Sequence, residues 1–261
     1  MQKRINVQSI DFILGGSGLE VLATETLPKG TLYVVCWVPH TNAIILKKHK
    51  VYPQEFADVG FQFERLVTGQ EMSARHDMTQ IEHLQLMDVN DKFKILFSAE
   101  LDAILKDEQP QAEQQQAEQQ QRVEIKASNP KHWGTKTMFQ MISSGSSHLC
   151  HGRKGKGTPP TLTNVELLSL ETVSKRALQK SKLTLSQLEA NIVKHLSTIQ
   201  SKLQHQKEQK QKEEEEVGLE QGQVYKIRFS NGQIELSLAR GMDLLPSLEV
   251  VQKLLSITKT N

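Results

Sequence analysis

Apolar and polar residues alternate along this chain with two different periods, and the switches between them mark out its elements. Gly30 to Val38, GTLYVVCWV, is β-branched and aromatic, and Asn42 to Leu46 continues in the same style after Pro39, which predicts two strands. Around Asp58 the segment DVGFQFERLV reads as a short helix. From Phe93 to Ile104 apolar residues fall on every second position, as in a strand with one apolar face, and Glu100 and Asp102 share the other face. RVEIKAS alternates likewise, with Val123, Ile125 and Ala127 opposite Glu124 and Lys126. A helix is expected from about Lys131 to Ser143, stopped by Gly145. The glycine-rich, basic CHGRKGKGTPP reads as a turn between strands.

Later, Leu188, Ile192, Leu196, Ile199 and Leu203 recur at helical spacing, predicting a long amphipathic helix that gives way to the solvated run QKEQKQKEEEE. VYKIRFSNGQIELSL reads as a hairpin, because Asn231 and Gly232 suit the positive φ of a type I′ turn. A last helix, Leu248 to Ile257, would pack through Val250, Val251, Leu254 and Leu255. The Gln-rich tract at 107–121 has too little apolar content to offset its ordering entropy. That tract and the stretch at about 205–222 are expected to be flexible insertions in a single domain, 1–261. The fold class predicted is α+β, a central mixed or antiparallel sheet flanked by helices.

Composition narrows the classes. The 261 residues, 37% hydrophobic and 24% charged, suffice for a substantial core. The two cysteines, Cys36 and Cys150, give neither a disulfide framework nor a zinc-type pair. No apolar run approaches the roughly 18 to 20 residues of a membrane span, and MQKRINVQSID has no signal-like apolar core. A soluble, intracellular protein without membrane association is expected. A net charge of +2 permits an RNA partner without arguing for one.

The chemistry lies in ELD and EIK. Pairing their strands in one sheet would gather Glu100, Asp102, Glu124 and Lys126, an arrangement costly to bury unless a hard cation neutralises it. Oxygen donors of this kind suit Mg²⁺ or Mn²⁺. A cation there could polarise a phosphoryl oxygen and acidify a bound water, with Lys126 countering developing charge. An acidic residue followed at a distance by (D/E)xK is the form of the PD-(D/E)XK nuclease superfamily. On their own, the two pairs fit solvent-facing positions on an edge strand equally well.

The ordered set is more specific. Gly60-Phe61-Gln62-Phe63-Glu64, then ELD, then EIK, then a helix carrying Gln140, resembles the DXO family of decapping enzymes and exoribonucleases. GTLYVVCW is similar to that family's GTIYL strand, GRKGKG stands where it has a glycine-arginine turn, and VYKIRF looks like its late VYRLSF strand. The resemblance implies Glu64, Glu100, Asp102 and Glu124 as ligands of one or two divalent cations, helped by the Ile125 carbonyl. Lys126 and Gln140 would position the attacking water or scissile phosphate. It implies a PD-(D/E)XK-like core and a hydrolase acting on RNA 5′ ends, through removal of incomplete or NAD-type caps, 5′-triphosphate hydrolysis or 5′–3′ exonuclease action. Nuclear residence is the first expectation and the cytoplasm its alternative.

The chain departs from the family before the GTIYL-like strand. There INVQSIDFILGG carries Gln8 or Ser9 where an RNA-contacting arginine is expected, and Arg4 lies earlier. That departure motivates an alternative, a catalytically weak adaptor that binds RNA ends or a 5′–3′ exoribonuclease. A DNA-directed nuclease with the same site is a third reading.

Other features read more simply. Gly15-Gly16-Ser17-Gly18 lacks a following GK[ST] and is taken as a turn. His148, Cys150 and His151 lack a fourth ligand at metal-binding spacing. Arg153, Lys154 and Lys156 could contact RNA phosphates from their turn. Trp37 and Trp133 are expected in the core, and the Leu188–Leu203 stripe against the chain's own sheet.

Overall fold

The computed structural model describes residues 9–27, 31–38, 41–50, 59–69, 82–105, 121–129, 134–155, 161–213, 223–230 and 232–239. The expected helix at 248–257, most of the Gln-rich tract, Trp133, Arg4, Gln8 and Lys156 lie outside them. The chain divides into two compact units, Met1–Tyr52 with Leu86–Leu96 and Ser186–Asn261, and Pro53–Gln85 with Phe97–Leu185. Mixed sheets flanked by helices make up the fold, as the pattern predicts.

In the first unit β1 (Phe12–Leu14) leads into helix α1 (Gly16–Thr24), then β2 (Thr31–Trp37) and β3 (Ile44–Lys50). Strand β3 pairs parallel with β1 and antiparallel with β2, Trp37 standing opposite Ile44. The glycines at 15–18 are therefore no simple turn. Gly15 caps α1, its carbonyl accepting from Gly18 N at 2.9 Å, and the rest open the helix. A Cβ on Gly18 would come within 3.0 Å of the Leu46 side chain, so glycine lets α1 lie close on β3. Tyr33, buried in β2, donates its hydroxyl to the Ser17 carbonyl at 3.0 Å and ties helix to strand.

The close of the chain forms the expected hairpin. Strands β10 (Tyr225–Ser230) and β11 (Gln233–Leu238) pair up to Ser230 opposite Gln233, with Gly232 at φ 68° between them. The seven-stranded sheet runs β11-β10-β2-β3-β1-β5-β4, where β4 is Glu82–Val89 and β5 is Phe93–Glu100. Residues 86–89 and 93–96 of that last pair belong to the first unit.

Helix α5 (Leu185–Glu213) buries Leu188, Ile192, Leu196, Ile199 and Leu203 within the chain itself. It also continues past residue 205, where the sequence was expected to leave the helix. Gln, Lys and Glu are strong helix formers, and Gln204 Nε2 donates to Glu208 Oε1 at 2.9 Å across one turn.

The second unit holds a four-stranded sheet in the order β6-β7-β8-β9: Ala103–Ile104, Arg122–Ser128, His148–Lys154 and Leu162–Ser169. Strands β7 and β8 are parallel, joined through helix α3 (Thr135–Ser144), which ends at Gly145 with φ 67° as expected. Helix α2 (Val59–Thr68) sets Phe63 on Val123 and Ile125 of β7. A Cβ on Gly152 would meet the Phe63 ring at 2.9 Å, so glycine is required beneath α2. Helix α4 (Leu170–Ser181) is capped by Ser169, whose hydroxyl accepts from Thr172 N at 3.2 Å.

Two expectations fail here for one reason each. The strand read from Phe93 to Ile104 breaks at Leu101–Asp102, because β5 belongs to the seven-stranded sheet and β6 to the four-stranded one. The supposed turn at 150–154 is strand, since His151, Gly152 and Arg153 pair on one side with Lys126, Ala127 and Ser128 and on the other with β9.

In the first unit an acidic contact joins distant elements. Glu25, at φ 56° on the end of α1, accepts from buried His195 Nε2 at 2.8 Å and from Lys194 Nζ at 3.2 Å, and Lys194 donates on to the Gly232 carbonyl at 2.8 Å. Burial holds His195 below its ordinary 6.5, and the His195 hydrogen bond draws Glu25 below its ordinary 4.5. As pH falls below 6.5 the unfolded chain takes up a proton that folded His195 resists, so stability drops. The Glu25 share persists until pH falls through its lowered folded value. His195→Gln, which takes no proton, should flatten the decline in Tm between about pH 7 and pH 5. Thermal denaturation followed by circular dichroism decides, and parallel pH profiles for variant and parent would refute the assignment.

Candidate active site

Strand β7 carries the centre of the site, and its alternation explains how. Val123 and Ile125 turn toward Phe63 in the core, which sends Glu124 and Lys126 to the other face. Glu124 is buried, and Lys126 Nζ lies 2.6 Å from its Oε1. Asp102, in the link between β5 and β6, accepts the Ile125 backbone N–H at 2.7 Å through Oδ2. That bond fixes Asp102 beside β7 although no strand carries it. Glu64 stands on α2 one residue after Phe63, and Glu100, exposed, closes β5.

The charges act on one another. Burial pushes Glu64 up to about 7, with Asp102 and Glu100 adding repulsion and Lys126 opposing it. Asp102 is raised chiefly by burial, against the pull of Lys126 and the Ile125 N–H. Glu124 is also raised by burial, opposed by Lys126 and reinforced by Asp102 and Glu100. Burial works against the Lys126 ammonium, but Glu124 and Asp102 outweigh it and hold its pKa above the ordinary lysine value. All four sequence-predicted carboxylates thus share one field with Lys126, net negative.

Among the described residues no three carboxylate, histidine or cysteine side chains stand close enough together to hold a metal ion as they are. Glu124 is engaged by Lys126, and Asp102 by the Ile125 N–H. The donor chemistry nonetheless fits a hard divalent cation. Every donor is an oxygen, and a bound cation would offset both the burial that raises these carboxylates and the repulsion that adds to it at Glu64 and Glu124.

The remaining candidates divide. Gln140 is half-buried on α3, the helix that packs against β7. Arg153, exposed, and Lys154, half-buried, end strand β8 rather than a turn. Arg153 lies two residues beyond His151, which is paired with Lys126, so Arg153 shares the Lys126 face. His148 and Cys150 lie on the opposite face from His151, which separates that trio as ligands. Trp37 is half-buried with Lys207 Nζ 5.8 Å from its ring centroid, so it sits at the edge of the core. The Asp102 bond to Ile125 was invisible in the sequence, since a side chain reaching a backbone 23 positions away leaves no periodic trace.

No protein-family model and no curated protein sequence matches the chain. Solved structures do. S. pombe Rai1 superposes with a TM-score of 0.62 at 13% identity, over 90% of this chain and 73% of that one. K. lactis Dxo1 in complex with manganese gives 0.58 at 14%, over 94% and 69%. Candida albicans Rai1 in complex with pU5 and Mn²⁺ gives 0.51 at 15%, over 97% and 72%. The fold is that of the DXO family. No helix among the described residues is long and apolar enough to cross a membrane.

The raised Glu64 has a measurable consequence. Ionising it in the folded state is unfavourable, so it destabilises increasingly as pH rises from 4.5 through about 7. In metal-free buffer Glu64→Gln should melt above the parent at about pH 8, the gain fading toward pH 4.5. Equal melting temperatures at the higher pH would show that Glu64 does not feel the cluster.

Proposed function

We propose that this chain is a Mg²⁺- or Mn²⁺-dependent hydrolase acting on RNA 5′ ends. The observation that carries the reading is the set of mutually repelling carboxylates, the buried Glu124 among them, gathered around Lys126 on β7, in a fold shared with proteins solved with manganese and with pU5. A structural role alone gives no reason to keep such groups together. Incomplete or NAD-type caps, 5′ triphosphates and the 5′ nucleotide of the exposed strand are the substrates proposed.

Glu64, Glu100, Asp102 and Glu124, with the Ile125 carbonyl, would hold the cation. When bound, it supplies Lewis-acid polarisation of a phosphoryl oxygen and a more acidic water. Lys126, held charged by Glu124 and Asp102, stabilises the negative charge that develops on the phosphoryl oxygens. Gln140 orients the nucleophile or the scissile phosphate from α3. Arg153, on the Lys126 face, and Lys154 bind backbone phosphates and set the strand's direction.

The test is release of the 5′ group from RNAs bearing triphosphate, unmethylated guanosine, methylated guanosine or NAD ends, in Mn²⁺, Mg²⁺ or EDTA. Release should require the metal. Asp102→Ala should lower it by more than the roughly 10- to 100-fold that loss of an outer partner costs, with the fold intact by circular dichroism. A folded parent that releases nothing from any end, yet binds RNA in EDTA, would replace this reading with the adaptor.

A further inference from the structure

A chain of polar side chains crosses three strands of the second unit's sheet next to the carboxylates. His151 of β8 stands opposite Lys126 of β7 on one side and Glu166 of β9 on the other. Its ring is fully enclosed, with 0% exposure. Nε2 lies 3.1 Å from the Ser128 carbonyl oxygen and 3.3 Å from its hydroxyl, and Nδ1 lies 3.3 Å from Glu166 Oε1. Ser128 is the last residue of β7, two positions beyond Lys126.

An enclosed imidazole needs partners on both nitrogens, where an apolar side chain would need none. Two of the partners it has are informative. One is the backbone at the end of the strand that carries the candidate site, and another is a carboxylate on the edge strand, 34% exposed. Strand ends fray, and any slip of β7 rotates Lys126 off its face. Through Ser128, His151 is hydrogen-bonded to the end of the strand that carries Glu124 and Lys126.

We propose that Ser128, His151 and Glu166 form a positioning relay that fixes the end of β7 and thereby holds Lys126 against Glu124. Its effect on turnover rests on the hydrolase reading, whereas its effect on Lys126 does not.

Glu166→Gln is the first variant, since the side chain is a third exposed and the replacement keeps its shape. Three readouts apply: kcat and KM for 5′-end release, Tm, and the NMR signal of the Lys126 ammonium. The relay predicts a fall in kcat of about 10-fold or more with KM and Tm unchanged, and a shifted or broadened Lys126 signal. Glu171→Gln, on the first turn of α4, should change none of them. His151→Ala should lower kcat further, and His151→Gln, whose amide can donate to or accept from Ser128, should recover part of the loss. Unchanged kcat and an unchanged Lys126 signal in Glu166→Gln would overturn the relay. If the parent releases nothing, the hydrolase reading fails, and the Lys126 signal alone decides, a shift supporting the relay and its absence overturning it.

Discussion

The second unit is organised around one electrostatic constraint, the Lys126 ammonium held 2.6 Å from a buried Glu124 amid further carboxylates. Without a cation at that point, burying Glu124 beside Asp102 would cost several kcal/mol. With it, burial still displaces Glu64, Asp102 and Glu124 upward, and repulsion among the carboxylates adds to the displacement of Glu64 and Glu124. The arrangement is one that folding tolerates and does not seek, which makes the cluster a candidate functional site.

What makes it tolerable is the parity of a single strand. Ile125 packs under Phe63, its N–H holds Asp102, and its two neighbours face the charged side. Core packing and chemistry therefore alternate along three consecutive residues. The glycine at 152 lets α2 approach closely enough for Phe63 to reach Ile125, and the same helix delivers Glu64 one residue later. The parallel crossover through α3 then seats β8 alongside, bringing His151 and Arg153 level with the charged end of β7.

Much of this was legible in the residues because it depends on local period. The alternation of RVEIKAS, the Asn-Gly hairpin, the glycine stop at 145 and the Leu188–Leu203 stripe all appear where pattern places them. What failed depends on pairing between distant segments. Nothing in the run from Phe93 to Ile104 announces that it changes sheets at Leu101, so Glu100 and Asp102 do not share a strand face. The basic, glycine-containing stretch at 150–154 has the composition of a turn, yet strands on both sides pair with it. The charged end of α5 reads as solvated coil until its i, i+4 partners are counted. For the site, the residue types were readable, and the bonds that position them, Asp102 to Ile125 and His151 to Ser128, were not.

The electrostatics also constrain how such a site could take up a hard cation. Glu64 near 7 is partly protonated at neutral pH, and Glu124 is held by Lys126. An arriving cation therefore competes with a proton at the first and with an ammonium at the second. In the proposed hydrolase, uptake would release protons and strengthen with pH through the neutral range. Lys126, loosened from Glu124 as the charge surplus is met, would be left beside the reacting phosphate, still charged. In the proposed hydrolase, the ammonium that offsets the buried Glu124 would also be the cation that stabilises developing charge, so that one side chain would serve the cluster for two different reasons.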